Sequence, residues 1–293
     1  MEVSGTRTVI YGRIIMRVFC LLLVALIACG DEGAANARKV LREVHALEVR
    51  KIVRDDIQSH LIGVREAGGR IAPGFATQDP KQRESQMRTA LRLLTKPPRG
   101  IPQLIVSART FTAAVEPSGS VLATDAKEDR DRMTGVNLGA QFAVVRDALA
   151  GKAGYAVDQF PPLEQGAEGS VSLLFAAPAQ KSGSTVGAAL AGIPLWRLAQ
   201  RLTKQLQLDH VSEKGAILWV YLVRGDKLHH FGTPPDLDTV IPNAQQRAEG
   251  FKKSPGGFTG EFFQFGRYYA YGLVPLPALG ADVAALIVRS DPV

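Results

Sequence analysis

The chain has 293 residues, a formal net charge of +7, 46 % hydrophobic and 22 % charged residues, and two cysteines, Cys20 and Cys29. These proportions are those of a globular protein and exclude a disordered or fibrous chain, and so few cysteines exclude a disulfide scaffold. The positive excess is spread along the sequence without interleaved aromatics, so no nucleic-acid partner is expected.

In chain order, the first feature is an apolar run from Val18 to Ala28. It is too short to cross a bilayer, which takes about 20 helical residues. With Arg7, Arg13 and Arg17 before it, it has the form of a secretory signal. Met1 and Met16 both remain open as the start. The run closes in Leu26-Ile27-Ala28-Cys29-Gly30, which resembles the lipobox of bacterial lipoproteins. The resemblance implies cleavage after Ala28, a thioether lipid on Cys29 and acylation, by palmitate or a similar chain, of the new amine. One chain anchors only reversibly, whereas several hold durably. Residues 1–28 are therefore expected to be a signal peptide, and the mature protein to be exported and tethered through Cys29 to a bacterial membrane, periplasmic or outer-surface. After processing no thiol remains.

Residues 35–66 read as one amphipathic helix with Val49, Val53, Ile57, Leu61 and Val64 on a single stripe, stopped by Gly68-Gly69. A second helix is predicted from Pro80 to Leu94. The lipidated N-terminus and helical stalk thus take up 29–100. From Ile101 the pattern turns to strands: Leu104 to Val115, a turn at Pro117-Ser118-Gly119-Ser120, then Val121 to Thr124. A helix from Gly135 to Leu149, strands Val171 to Pro178 and Thr185 to Leu190, and a helix from Trp196 to Leu206 complete a unit over 101–208. Over 209–293 the plan repeats: strands Ala216 to Val223 and Leu228 to Phe231, a helix at 236–252, then strands Phe258 to Phe265, Arg267 to Val274 and Asp282 to Arg289. Pro178, Gly183, Val186 and Ala188 share their spacing with Pro275, Gly280, Val283 and Ala285, in keeping with an internal duplication.

A long helix followed by two small antiparallel units resembles the double Cache domains, the PAS-like extracytoplasmic sensors of bacteria. The likeness rests on 115–125 with its Pro117-Ser118-Gly119 hairpin, on Gly135-Val136-Asn137-Leu138, and on Leu174-Phe175-Ala176-Ala177-Pro178 with Val186-Gly187-Ala188 as a closing strand pair. It implies an α+β fold: a long N-terminal helix and two PAS-like antiparallel-sheet subdomains. Asn137 stands where the family usually has aspartate, and 139–144 lacks the arginine and aromatics of the amino-acid-binding members. The resemblance therefore stops short of an amino-acid ligand.

No G-x-S-x-G, H-E-x-x-H or phosphate-cradling loop occurs, so no catalytic residue, enzyme activity or cofactor is expected. His229 and His230 are adjacent on a predicted strand and point to opposite faces, so no metal site is expected either. Arg224-Gly225-Asp226 reads as a hairpin turn. The charge run from Lys127 to Arg132 reads as a solvated loop; the resemblance places it beside the ligand pocket, where Arg130 or Arg132 could fork onto a carboxylate. Phe142, Tyr155 and Phe175 are candidates to line that cavity. The expected function is a lipid-anchored small-molecule-binding sensor module that passes its bound state to an envelope signalling protein. The alternative is a structural or assembly lipoprotein docking another envelope component.

Overall fold

A computed structural model describes residues 35–105, 111–162, 166 and 168–291. The signal segment and Cys29 lie outside the described residues. Residues 35–40 are helical, pass through a π turn at Leu41–His45 and continue as α1, Ala46–Ile71. Val49, Val53, Ile57 and Val64 are buried as their spacing predicts, whereas Leu61 is only half-buried. The glycine pair does not stop this helix. A Cβ on Gly68 would fall 2.4 Å from the Pro178 carbonyl oxygen, so this glycine lets α1 cross the first sheet closely; the chain leaves the α-helix at Ala72-Pro73. Helix α2, Pro80–Leu94, starts as predicted, where the Asp79 carboxylate accepts a hydrogen bond from the Gln82 amide at 2.7 Å.

The Leu104 to Val115 stretch is not one strand. It opens with a helical turn, α3 (Pro102–Ile105), and its strand β1 covers only Phe111–Val115; 106–110 lie outside the described residues. β2 is Val121–Thr124. The helix expected over 135–149 is two short ones, α4 (Leu138–Gln141) and α5 (Ala143–Leu149), parted by Phe142 in extended conformation. The break persists because Arg146 donates to the Gly139 and Ala140 carbonyls, which the broken helix no longer satisfies. The sequence reading missed β3, Gly154–Phe160. Next come β4 (Ser170–Lys181), β5 (Ser184–Pro194) and α6 (Leu195–Asp209).

The second unit comprises β6 (Ile217–Arg224), β7 (Lys227–His229), α7 (Ala244–Lys253), β8 (Phe258–Gln264), β9 (Arg267–Pro275) and β10 (Val283–Ser290). The helix expected over 236–252 begins only after Pro242, where Asn243 and Gln246 form a reciprocal capping box.

The two sheets are five-stranded and antiparallel, ordered β2-β1-β5-β4-β3 and β7-β6-β10-β9-β8, so the second repeats the first strand for strand. The duplication therefore resides in the topology. The matched proline–glycine spacing does not superpose. Ala179 pairs with Gly187 and Gln180 with Thr185, leaving Val186 as a bulge that turns Ala188 away from α1, whereas Ala285 faces it. One continuous core joins α1, α2 and α6 to one face of each sheet, and a smaller cluster covers the far face of each.

Candidate functional site

The loop from β2 to α4 is built around a buried ion pair. Arg88 sits among the buried residues of α2, and its Nη1 donates to the Asp131 carboxylate at 2.7 Å and to the Ala126 carbonyl at 3.1 Å. Its Nη2 donates to Glu84 at 2.8 Å. Burial alone would lower the Arg88 pKa, but these carboxylates outweigh it and raise it. Asp131 also accepts from the Met133 amide and the Thr134 hydroxyl. Burial resists its charge, yet these bonds hold its carboxyl below the usual range. The charge run is thus not wholly a solvated loop, for Asp131 is its inward anchor.

With Asp131 turned in, Arg130 and Arg132 on either side are exposed. Among the described residues neither guanidinium has a hydrogen-bond or ion-pair partner. Arg132, Met133, Val136, Gln141, Pro161, Pro162 and Gly166 line a cleft of about 310 Å³ at the margin of the first unit. Here a cation without a partner among the described residues meets a concave, mostly apolar wall.

Of the candidates from sequence, only Arg132 lines this cleft. Phe142 is buried on the far face of the first sheet, stacked on Phe160 at 5.6 Å, with Phe111 stacked on Phe160 at 4.5 Å. Phe111 also lies over Gly192, where a Cβ would come within 2.1 Å of its ring, so aromatics fill the middle of this face. Phe175 faces the opposite way, toward α1, where it stacks on His60 at 5.2 Å. Tyr155 pairs with Phe175 across β3 and β4 and is exposed at the sheet edge. Phe142 and Phe175 are on opposite faces of one sheet and do not share a cavity.

Burial acts on two further groups nearby. It pushes the Asp125 carboxyl up to about 6, although the Thr112 amide donates to it at 3.1 Å. It lowers the pKa of His60, whose Nδ1 donates to the Asp56 carbonyl while Nε2 has no partner.

In the second unit, a cleft of about 360 Å³ lies between α7 and the sheet. Arg247 lines it, but its guanidinium is engaged, donating to the carbonyls of Pro242, Gly225 and Asp226. Those bonds fix the turn containing Arg224-Gly225-Asp226, and Arg224 pairs with Asp282 at 2.9 Å. His229 and His230 diverge as expected: burial chiefly lowers the pKa of His229, while His230 meets Asp238 at 3.1 Å.

The chain matches no protein-family model and no curated protein sequence. Its fold does have counterparts among solved structures. The ligand-binding domain of the Campylobacter jejuni chemoreceptor Tlp3 in complex with 4-methylisoleucine aligns at TM-score 0.52 and 11 % identity, over 89 % of this chain and 91 % of that one. The same domain with L-norvaline aligns at TM-score 0.52 and 12 % identity, over 90 % and 92 %. The fold is that of a double Cache domain. A looser match is the ligand-binding domain of the Pseudomonas aeruginosa chemoreceptor PctC with GABA, at TM-score 0.45 and 17 % identity, over 87 % and 99 %. The double Cache fold accounts for the paired sheets and the long helix, but a shared fold does not by itself assign a ligand.

Proposed function

We propose that this protein is an exported, lipid-anchored double Cache module that binds a small carboxylate-bearing molecule without transforming it and reports its bound state to an envelope partner. The observation that carries the binding site is the exposed guanidinium of Arg132 lining the first-unit cleft, without a partner among the described residues. Arginine can clasp both oxygens of a carboxylate, and the apolar wall of Met133, Val136 and Pro161 suits a short aliphatic body. The Tlp3 domain with the same fold was solved with branched and straight-chain aliphatic amino acids, which makes these the first compounds to try. Arg130 is close enough in sequence to assist. Phe142 and Phe175 act through packing.

The anchoring half of the proposal rests on the lipobox at Cys29. Residue 35 is only six positions beyond Cys29, a reach of roughly 20 Å. Arg38 binds Glu261 on β8, and Arg267 at the β8–β9 turn binds the Asp291 carbonyl. The exposed Phe263, Phe265 and Tyr268 of that hairpin therefore lie at the anchored end, where aromatic rings suit a bilayer interface. Among the described residues no helix is long and apolar enough to cross a membrane.

The test is thermal unfolding of the full chain in detergent against aliphatic amino acids and simple carboxylates. A ligand confined to the folded state adds about 2.7 kcal/mol at a hundredfold excess over Kd. The expected result is a saturable rise in midpoint that Arg132→Ala abolishes. If no compound raises the midpoint, or the rise survives in Arg132→Ala, the cleft is not the site, and docking of an envelope component becomes the better reading.

A further inference from the structure

The start of the long helix, the end of α6 and the last strand meet in a cluster of titratable side chains that the ligand reading does not use. His45 closes the π turn and is fully buried, and Glu48 follows one helical turn later. His210 caps α6, and Glu213 follows it. A π turn inserts an extra residue per turn and is a device that often re-aims a functional side chain.

His45 Nδ1 lies 2.9 Å from Glu48 Oε2, and His210 Nε2 lies 3.0 Å from both Glu48 oxygens. One ligand atom from each of the three residues falls within 4.8 Å of the others. A tetrahedral zinc ion with ligands at about 2.0–2.1 Å sets its ligand atoms about 3.4 Å apart. The two contacts of Glu48 with the imidazoles, at 2.9 and 3.0 Å, need to open by only a few tenths of an ångström to reach that spacing. The imidazole nitrogens, within 4.8 Å of each other, need only adjust toward it. The second nitrogen of His210, Nδ1, is 2.8 Å from Glu213, the carboxylate that a metal-bound histidine commonly has behind it.

We propose that His45, Glu48 and His210 form a binding site for one divalent cation of the zinc class, with Glu213 orienting His210. Two imidazoles and a carboxylate are a zinc-type donor set, whereas calcium and magnesium prefer oxygen alone. Water completes the tetrahedron on the side where Glu48 and His210 are partly exposed.

Without metal the positions are held by protons and one arginine. Arg289 Nη1 donates to His45 Nε2 at 2.8 Å, so the His45 proton is on Nδ1, facing Glu48. Burial keeps His45 from taking a second proton, and although burial also opposes charge on His210, the hydrogen bonds to Glu213 and Glu48 favour its cation. Glu48, Glu213 and Asp291 then face His210 and Arg289, leaving one negative charge in excess. Uptake of the ion expels the Nε2 proton of His210, moves the His45 proton to Nε2 and turns Arg289 off that ring. Arg289 keeps its bonds to Glu213 and Asp291. The cluster becomes neutral. The ion would tie the helix that leads toward Cys29 to the C-terminal end of α6.

This site does not depend on the ligand cleft, so its test is separate. The full chain in detergent is stripped with a chelator, and Zn²⁺ alone is titrated in under native mass spectrometry and competition with a chromophoric chelator. Co²⁺ serves as a spectroscopic substitute. The expected result is one ion per chain, a four-coordinate Co²⁺ visible spectrum and a rise in the unfolding midpoint with Zn²⁺. Affinity should fall at least tenfold in His210→Gln and in Glu48→Gln, and about tenfold in Glu213→Gln, as for other groups behind a metal ligand. Far-UV circular dichroism checks that each variant is folded, and Glu48→Gln stands in if His210→Gln is not. Absence of stoichiometric binding by the parent overturns the proposal. So does a folded ligand variant that binds as tightly as the parent, because the cluster is then a network of protons and Arg289 alone.

Discussion

At Asp125, just past β2, the fold keeps a carboxyl largely out of water, with the Thr112 amide of β1 donating to it. Its pKa lies at about 6, against 3.8 in the unfolded chain. Well below pH 3.8 both states are protonated. As pH rises from 4 to 6 the unfolded state loses its proton first, so stability falls across that window and levels off above it. Asp125→Asn keeps an oxygen for Thr112 and removes the titration. Denaturant titrations should show little change at pH 3 and a gain on the order of 3 kcal/mol at pH 7.5. Equal gains at both pH values would disprove the assignment. The same residue-scale view shows why the site was only partly legible. Arg88 and Glu84 look like an ordinary surface pair at i,i+4, and the one available sign was that Arg88 sits beside Met87 on the stripe that Leu91 and Leu94 continue. Arg132 became a candidate through the Cache resemblance together with the fork of its guanidinium, and the structure adds that it lines a cleft. That it projects outward while Asp131 turns in was not readable, because the charge run gives no phase. His45 and Glu48 are neighbours on one helix face, but His210 reaches them from 162 residues away in sequence, a distance no local pattern encodes.

At the scale of elements, two adjacent glycines in α1 make opposite demands. Gly68 passes against the Pro178 carbonyl with no room for a Cβ, whereas Gly69 is exposed and a Cβ there meets nothing within 4 Å. Gly68→Ala must push α1 off the first sheet and should cost about 2–3 kcal/mol. Gly69→Ala should stabilise by about 0.5–1 kcal/mol through lost unfolded-state freedom. Urea unfolding of the two variants side by side checks the pair, and a similar sign for both would refute it. The sequence marks glycine as a helix breaker, and nothing local distinguishes a stop from a close crossing. Elements with one clear period, such as α2 and α6, were readable for that reason. β3 was not: it is an edge strand with half-buried residues on both faces, so its apolar positions do not alternate. The break at Phe142 was hidden because the side chain of Arg146 supplies what the backbone lacks.

The molecule as a whole is held by one core rather than two. Val49, Val53 and Ile57 of α1 belong to the same cluster as Ala189 and Ile193 of the first sheet and Leu218 and Ile287 of the second. Asp56 on α1 and Arg201 on α6 reinforce it with a two-pronged ion pair at 2.6 and 2.7 Å. Neither sheet can lose α1 without exposing its inner face. Scanning calorimetry should therefore show a single transition with calorimetric and van't Hoff enthalpies in agreement. Two resolved transitions would mean that the sheets fold as separate units.

That shared helix also behaves as a lever. The 26 residues of α1 make a rod about 39 Å long, and a rotation of 10° about one end carries the other by about 7 Å. Gly68, near the C-terminal end of α1, packs directly on the first sheet, so a small tilt there is amplified to a displacement of several bond lengths at the N-terminal pole. The π turn at Leu41–His45 lies at that pole, so the largest movement falls on the helical residues that precede α1.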